Sequence, residues 1–162
     1  MIKLVRLDYR LLHGQVVFAW TSYVGAQRII VVDDEAATDE LKKSALSLSK
    51  PTGVRLNIFT LKTALAKMPK VETLNENIMM IFGNTATLRA FCEAYPKIKE
   101  INYGGLANKA GAKQFAGAIF MTEEEQADTR RLLEMGDPCR RFREDALRIL
   151  RALLDGKLHT AG

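Results

Sequence analysis

Four consecutive β-branched residues, Ile29-Ile30-Val31-Val32, constrain this chain more than any other feature. Such a run has no polar side to turn to water, so it suits a strand buried on both faces. Similar runs predict strands at Ile2–Val5, Arg28–Val32, Val54–Phe59, Ile78–Phe82, Ile101–Tyr103 and Ala118–Met121. Helical patterns fill the gaps. Gln15–Val24 carries apolar residues at three- and four-residue spacings, and Thr38–Leu48 places Leu41, Ala45 and Leu48 on one face. Residues 61–68 and 85–94 are further helices. Thr122-Glu123-Glu124-Glu125 is a capping box that opens a helix to about Met135. Strand and helix alternate about every 25 residues, which predicts an α/β fold: an open, mostly parallel sheet of about six strands with helices on both faces.

Length and charge narrow the class. The chain has 162 residues, enough for one domain with its own core. A net charge of +5 is mild, and the charges are scattered until about residue 140, so no nucleic-acid partner is expected. No apolar stretch is long enough for a membrane span or a signal peptide. Cys92 and Cys139 lack zinc-ligand spacing and suggest a reducing, cytoplasmic setting. No phosphate-binding GxxxxGK[ST] loop, no GxGxxG and no metal-ligand cluster occurs, so no cofactor or metal is demanded.

In open parallel sheets, ligands bind beyond the carboxyl ends of the strands. The first such loop reads Arg6-Leu7-Asp8-Tyr9-Arg10-Leu11-Leu12-His13-Gly14-Gln15. His13 is one of two histidines; the other, His159, is in the terminal tail. An imidazole entering a helix N-terminus lies near unpaired amides and the positive end of the helix dipole, which favour an anion such as phosphate. The fork of Arg10 fits phosphate oxygens. Asp8 could orient the imidazole or hold Arg10, and Gly14 permits close backbone approach. Taken alone, a histidine at such a junction is more often a capping or surface residue, and Arg6, Asp8 and Arg10 could form a surface charge ladder.

The segment RLDYRLLHGQV (6–16) resembles the active-site signature of the IIB subunit of the mannose/fructose/sorbose class of the bacterial phosphoenolpyruvate-dependent sugar phosphotransferase system. The resemblance continues through IIVVDDEAATDELKKSAL (29–46), Pro51-Thr52-Gly53-Val54, IFGN (81–84) and INYGG (101–105), and covers residues 1–135. It implies a phosphocarrier domain. His13 would take phosphate from the phosphohistidine of a IIA domain and pass it to a sugar entering through the membrane components IIC and IID. It makes His13, Arg10 and Asp8 the catalytic group, with Gly14, Gln15 and Arg6 at the phosphate. It also implies a place at the inner face of the membrane through partner subunits, with self-association left open. Asp33 and Asp34 end a strand and are as readily helix caps. Gly104 and Gly105 line the same cleft or simply form a turn.

Residues 136–162 depart from this pattern. Phe142, Ala146, Ile149, Leu150 and Leu153 recur at helical spacing, which predicts a C-terminal helix over 139–154 packed on the same domain or on a second subunit. The stretch is similar to a motif of tRNA nucleotidyltransferases and poly(A) polymerases, matched here by Glu144, Asp145 and Arg148. The metal-binding half of that family is absent from the sequence. A non-catalytic relic or nucleotide-binding module on residues 140–151 is therefore the alternative function class.

Overall fold

The computed structural model describes residues 1–98 and 100–135. The C-terminal helix expected over 139–154, with Glu144, Asp145 and Arg148, lies outside the described residues.

In chain order the elements are β1 (Ile2–Asp8), α1 (Gly14–Val24), β2 (Arg28–Val32), α2 (Asp34–Thr38), α3 (Glu40–Ser49), β3 (Arg55–Phe59) and α4 (Leu61–Val71). They continue with β4 (Ile78–Phe82), α5 (Thr85–Ala94), β5 (Asn102–Gly105), β6 (Lys113–Ala116), β7 (Ile119–Met121) and α6 (Glu123–Glu134). Five strands form one sheet in the order β3-β2-β4-β1-β5, all paired in parallel.

The β-branched run behaves as its sequence requires. Ile30 and Val32 point into one apolar layer and Ile29 and Val31 into the other, all at most 1% exposed. β4 splits in the same way, with Ile78, Met80 and Phe82 on one side and Met79 and Ile81 on the other. The first layer is closed by Ala64 and Met68 of α4, Phe91 of α5 and Leu132 of α6; the second by Val17 of α1 and Leu46 of α3. Phe82 and Phe91 stack with ring centroids 5.1 Å apart and are fully buried. Each such side chain contributes about 1.5–3 kcal/mol by leaving water.

Three expectations are corrected. The main sheet has five strands, not six, because the segment at 118–121 pairs antiparallel with β6 in a separate hairpin. That hairpin touches the sheet through a single parallel bridge between Leu106 and Ile119. Strand β6 (KQFA) was not foreseen, since it has one buried residue and no alternation long enough to read. The helix expected over Thr38–Leu48 is α3, begun two residues later, and the short helix α2 before it was not expected. Asp39, not Thr38, caps α3 by accepting from the amides of Leu41 and Lys42. Its expected apolar face is also turned outward: Leu41 and Leu48 are 80% and 88% exposed, and Leu46 enters the core instead. The capping box is present as expected, with Thr122 and Glu125 each bonding the other's backbone amide.

The strand order also fixes where a site can form. From β1 the chain crosses by α1 toward β2; from β4 it crosses by α5 the opposite way, to β5. The two helices cover opposite faces of the sheet. The carboxyl ends of the neighbouring strands β1 and β4 therefore flank the crevice where loops diverge. Among the described residues no helix is long and apolar enough to cross a membrane.

Candidate functional site

Strand β1 delivers Asp8 to that crevice, and the chain turns sharply after it. The Leu11 amide donates to the Asp8 carbonyl at 3.0 Å, and the Tyr9 amide donates to the Gly105 carbonyl at 3.1 Å. Leu11 completes the turn at φ 58°, a left-handed conformation that a branched side chain rarely adopts. Leu12 then anchors the loop in the second apolar layer at 4% exposure.

His13 follows in extended backbone (φ −150°, ψ 138°) as the N-cap of α1, and its side chain makes no capping bond. The imidazole is half-buried and is not spent on holding the helix, while Gly14 and Gln15 behind it are exposed. Gly14 sits at φ 50°, a conformation natural to glycine. The first amides of α1 have no intrahelical acceptor and face the loop end of the helix.

Beneath the loop lies a charged cluster. The Asp8 carboxylate is fully buried and accepts from both neighbouring arginines. Arg10 donates to Oδ1 from its backbone amide and from Nε, each at 3.1 Å, and from Nη2 to Oδ2 at 3.3 Å. Arg6 donates from Nη2 to Oδ2 at 3.1 Å. The other end of the Arg6 guanidinium bonds the Asn102 side-chain oxygen, and its Cζ lies 5.5 Å from the Trp20 ring centroid. Burial pulls the Arg6 pKa down from its ordinary value, against the pull of Asp8; for Arg10 the hydrogen bonds to Asp8 raise it. Both remain cations at neutral pH. Two positive charges thus share one buried negative charge where β1 enters the loop that leads to His13.

Two glycines leave room for this cluster, and a third for the loop beside it. A Cβ on Gly104 would stand 2.2 Å from the Arg6 guanidinium, and one on Gly105 would be 3.2 Å from Arg10 Nη2. A Cβ on Gly83, just after β4, would meet Asp33 Oδ2 at 2.2 Å and Leu11 Cδ2 at 3.2 Å. Gly104 and Gly105 are therefore part of the cleft, rather than a turn, and end strand β5. Asp33 caps α2 through the Ala36 amide, while Asp34 accepts from the Leu61 amide away from the cluster.

The structure bonds Arg10 to Asp8 at the end of β1 and puts His13 at the far end of the same loop, as the N-cap of α1. It places Arg6 differently from expectation: its side chain is 10% exposed and engaged below the loop, not open to a phosphate. Asn102, Trp20 and Gly83 were not singled out from sequence. Trp20 carried a signal, standing two helical turns beyond His13 on α1; an asparagine at a strand end carries none.

The comparisons with known proteins show the family. The model of the PTS system sorbose subfamily IIB component matches residues 2–157, so the match runs past Met135 into the C-terminal segment. The sorbose-specific EIIB component of Klebsiella pneumoniae is 30% identical over 135 residues, covering 83% of this chain and 82% of that protein. The mannose-specific EIIAB component of Escherichia coli K12 is 33% identical over 125 residues, which span 77% of this chain and 39% of the longer relative. The crystal structure of the N-acetylgalactosamine-specific IIB component 1 from Escherichia coli superposes with a TM-score of 0.80 at 28% identity, over 86% of this chain and 91% of that one. The α/β sheet, the loop at its switch point and these relatives together make the chain a member of the IIB components of the mannose/fructose/sorbose class of the sugar phosphotransferase system, which are phosphotransferases that carry phosphate toward a sugar.

Proposed function

We propose that His13 is the phosphoryl carrier, accepting from the phosphohistidine of a IIA domain and donating to a sugar held by the membrane components IIC and IID. The observation that carries this reading is the His13 side chain itself. It is an imidazole at the head of α1, at the sheet's switch point, that makes no capping bond and ends the loop whose first residues, Asp8 and Arg10, are tied to each other and to Arg6. The relative named EIIAB joins an A and a B component in its name, which supports a IIA partner for this chain too. The protein would work at the inner face of the membrane through those partners.

In the first step a lone pair on a His13 ring nitrogen forms a bond to phosphorus. The bond from phosphorus to the donor imidazole breaks, and its electron pair stays on the donor. In the second step a sugar hydroxyl oxygen bonds phosphorus, the bond to His13 breaks with its pair returning to the ring, and the hydroxyl proton passes to solvent water. Both are in-line displacements with charge spread over the equatorial oxygens, so positioning and charge stabilisation supply the catalysis. In this reading Arg10 meets those oxygens, Asp8 orients Arg10, and the amides behind Gly14 and Gln15 face the same charge. Arg6 supports Asp8 from below.

Cys92 is a poor rival nucleophile, being 1% exposed on the core side of α5. Cys139 lies outside the described residues. Labelled phosphoenolpyruvate with the general phosphotransferase proteins and a IIA domain tests the assignment. The label should be acid-labile and base-stable, vanish in His13→Ala, and persist in Cys92→Ser, Cys139→Ser and His159→Ala. Label retained by His13→Ala would refute it.

A further inference from the structure

The cluster contains one more cation than Asp8 needs, and the two arginines differ in freedom. The Arg10 side chain is 36% exposed at the surface of the loop. The Arg6 side chain is 10% exposed and sealed between Asn102, Trp20 and the bare backbone of Gly104. Only Arg10 can turn outward. If Arg10 were the sole partner of Asp8, turning would strand a fully buried carboxylate, which low-dielectric surroundings penalise heavily.

We infer that Arg6 is a positioning residue: as the fixed counter-ion of Asp8 it keeps that carboxylate paired when Arg10 gives its guanidinium to the phosphoryl group. The inference rests on His13 being the carrier. The geometry supports an exchange without loss of pairing. Arg6 Nη2 holds Asp8 Oδ2 at 3.1 Å, an oxygen that Arg10 Nη2 also approaches at 3.3 Å, while Nε and the backbone amide of Arg10 hold Oδ1. Removing the Arg10 side chain from Asp8 leaves the Arg6 bond intact. Arg6 is further held in place by Asn102, the Trp20 ring 5.5 Å from its Cζ and the backbone of Gly104 against its guanidinium.

The test is quenched-flow transfer from a labelled IIA domain to the full chain. Arg6→Met should slow phosphorylation at least tenfold, because Arg10 becomes bound to a carboxylate it cannot leave. Arg6→Lys, which keeps the charge, should recover much of that rate. Arg6→Met with Asp8→Asn should exceed Arg6→Met alone, since no buried charge then holds Arg10. A merely structural Arg6 would give no such rescue. Should Arg6→Met fail to fold, the wild-type protein still decides: on phosphorylation the Arg10 Nε–H resonance should shift and that of Arg6 should stay. Transfer by folded Arg6→Met at the wild-type rate, absence of rescue, or a moving Arg6 resonance in the phosphoprotein would overturn the inference while leaving the carrier assignment standing. A wild-type chain that takes no label on His13 would overturn both.

Discussion

Arg6 lies across the backbone of Gly104, so close that a Cβ on that glycine would be 2.2 Å from Cζ and Nη2 of the guanidinium. The contact decides what residue can end β5. Gly104→Ala forces the Arg6 guanidinium away from Asp8 and Asn102. Overpacking of this kind costs about 1–3 kcal/mol. A lowered denaturation midpoint together with slowed phosphoryl transfer is expected, measured on the same preparation. Full stability in Gly104→Ala would mean that Arg6 is not wedged there.

Arg10 should behave in the opposite way. Its side chain is partly exposed, and its guanidinium makes no bond outside Asp8 among those described. Arg10→Lys keeps the charge and loses the fork. Transfer to His13 should slow by roughly one to three orders of magnitude, as for loss of one oriented stabilising group. The thermal midpoint should move little. Unchanged transfer in both Arg10→Lys and Arg10→Ala would assign Arg10 to structure alone.

Gly14 separates backbone conformation from space. Its φ is 50°, yet a Cβ there would meet nothing within 4 Å. Gly14→Ala therefore tests strain only, about 1–2 kcal/mol for a left-handed L-residue. The helix start relaxes by rotating its first amides, so transfer should fall in Gly14→Ala. Circular dichroism and a denaturation curve should show α1 still formed.

The sheet was legible because strands buried on both faces must be apolar along their length. β2 and β4 begin and end where their runs do, at Arg28–Val32 and Ile78–Phe82. The loop was legible because Asp8, Arg10 and His13 lie within six residues of one another in sequence. What was hidden depends on distant partners. Arg6 reads as a surface cation until Asn102 and Gly104 are brought beside it by the β1–β5 pairing. The outward stripe of α3 was misread because helical spacing reports a face, not which way it points. Strand β6 escaped because it is four residues long with one buried side chain, and only its antiparallel pairing with β7 makes it a strand.

Acid should loosen the fold at the end of the sheet opposite the site. Glu76 accepts from Arg28 Nη2 at 2.9 Å and Arg28 Nε at 3.3 Å, and Arg55 Nη1 lies at 3.5 Å. Those hydrogen bonds, Arg28's first, hold its carboxyl below the ordinary range. Glu93 is lowered likewise by Arg89 and Arg131, which ties α5 to α6. A carboxyl whose pKa is lower folded than unfolded adds stability that is fully present above the unfolded value, near 4.3 for glutamate. That stability is lost as pH falls through the lower, folded value. The pairs are largely at the surface, so salt screens them and each effect is modest. In urea titrations at low salt, wild type should therefore lose stability from about pH 5 downward. Glu76→Gln should be less stable than wild type at pH 7, and the gap should close as pH drops below the carboxylate range. A gap that stays constant with pH would show that Glu76 contributes by packing and not by its charge.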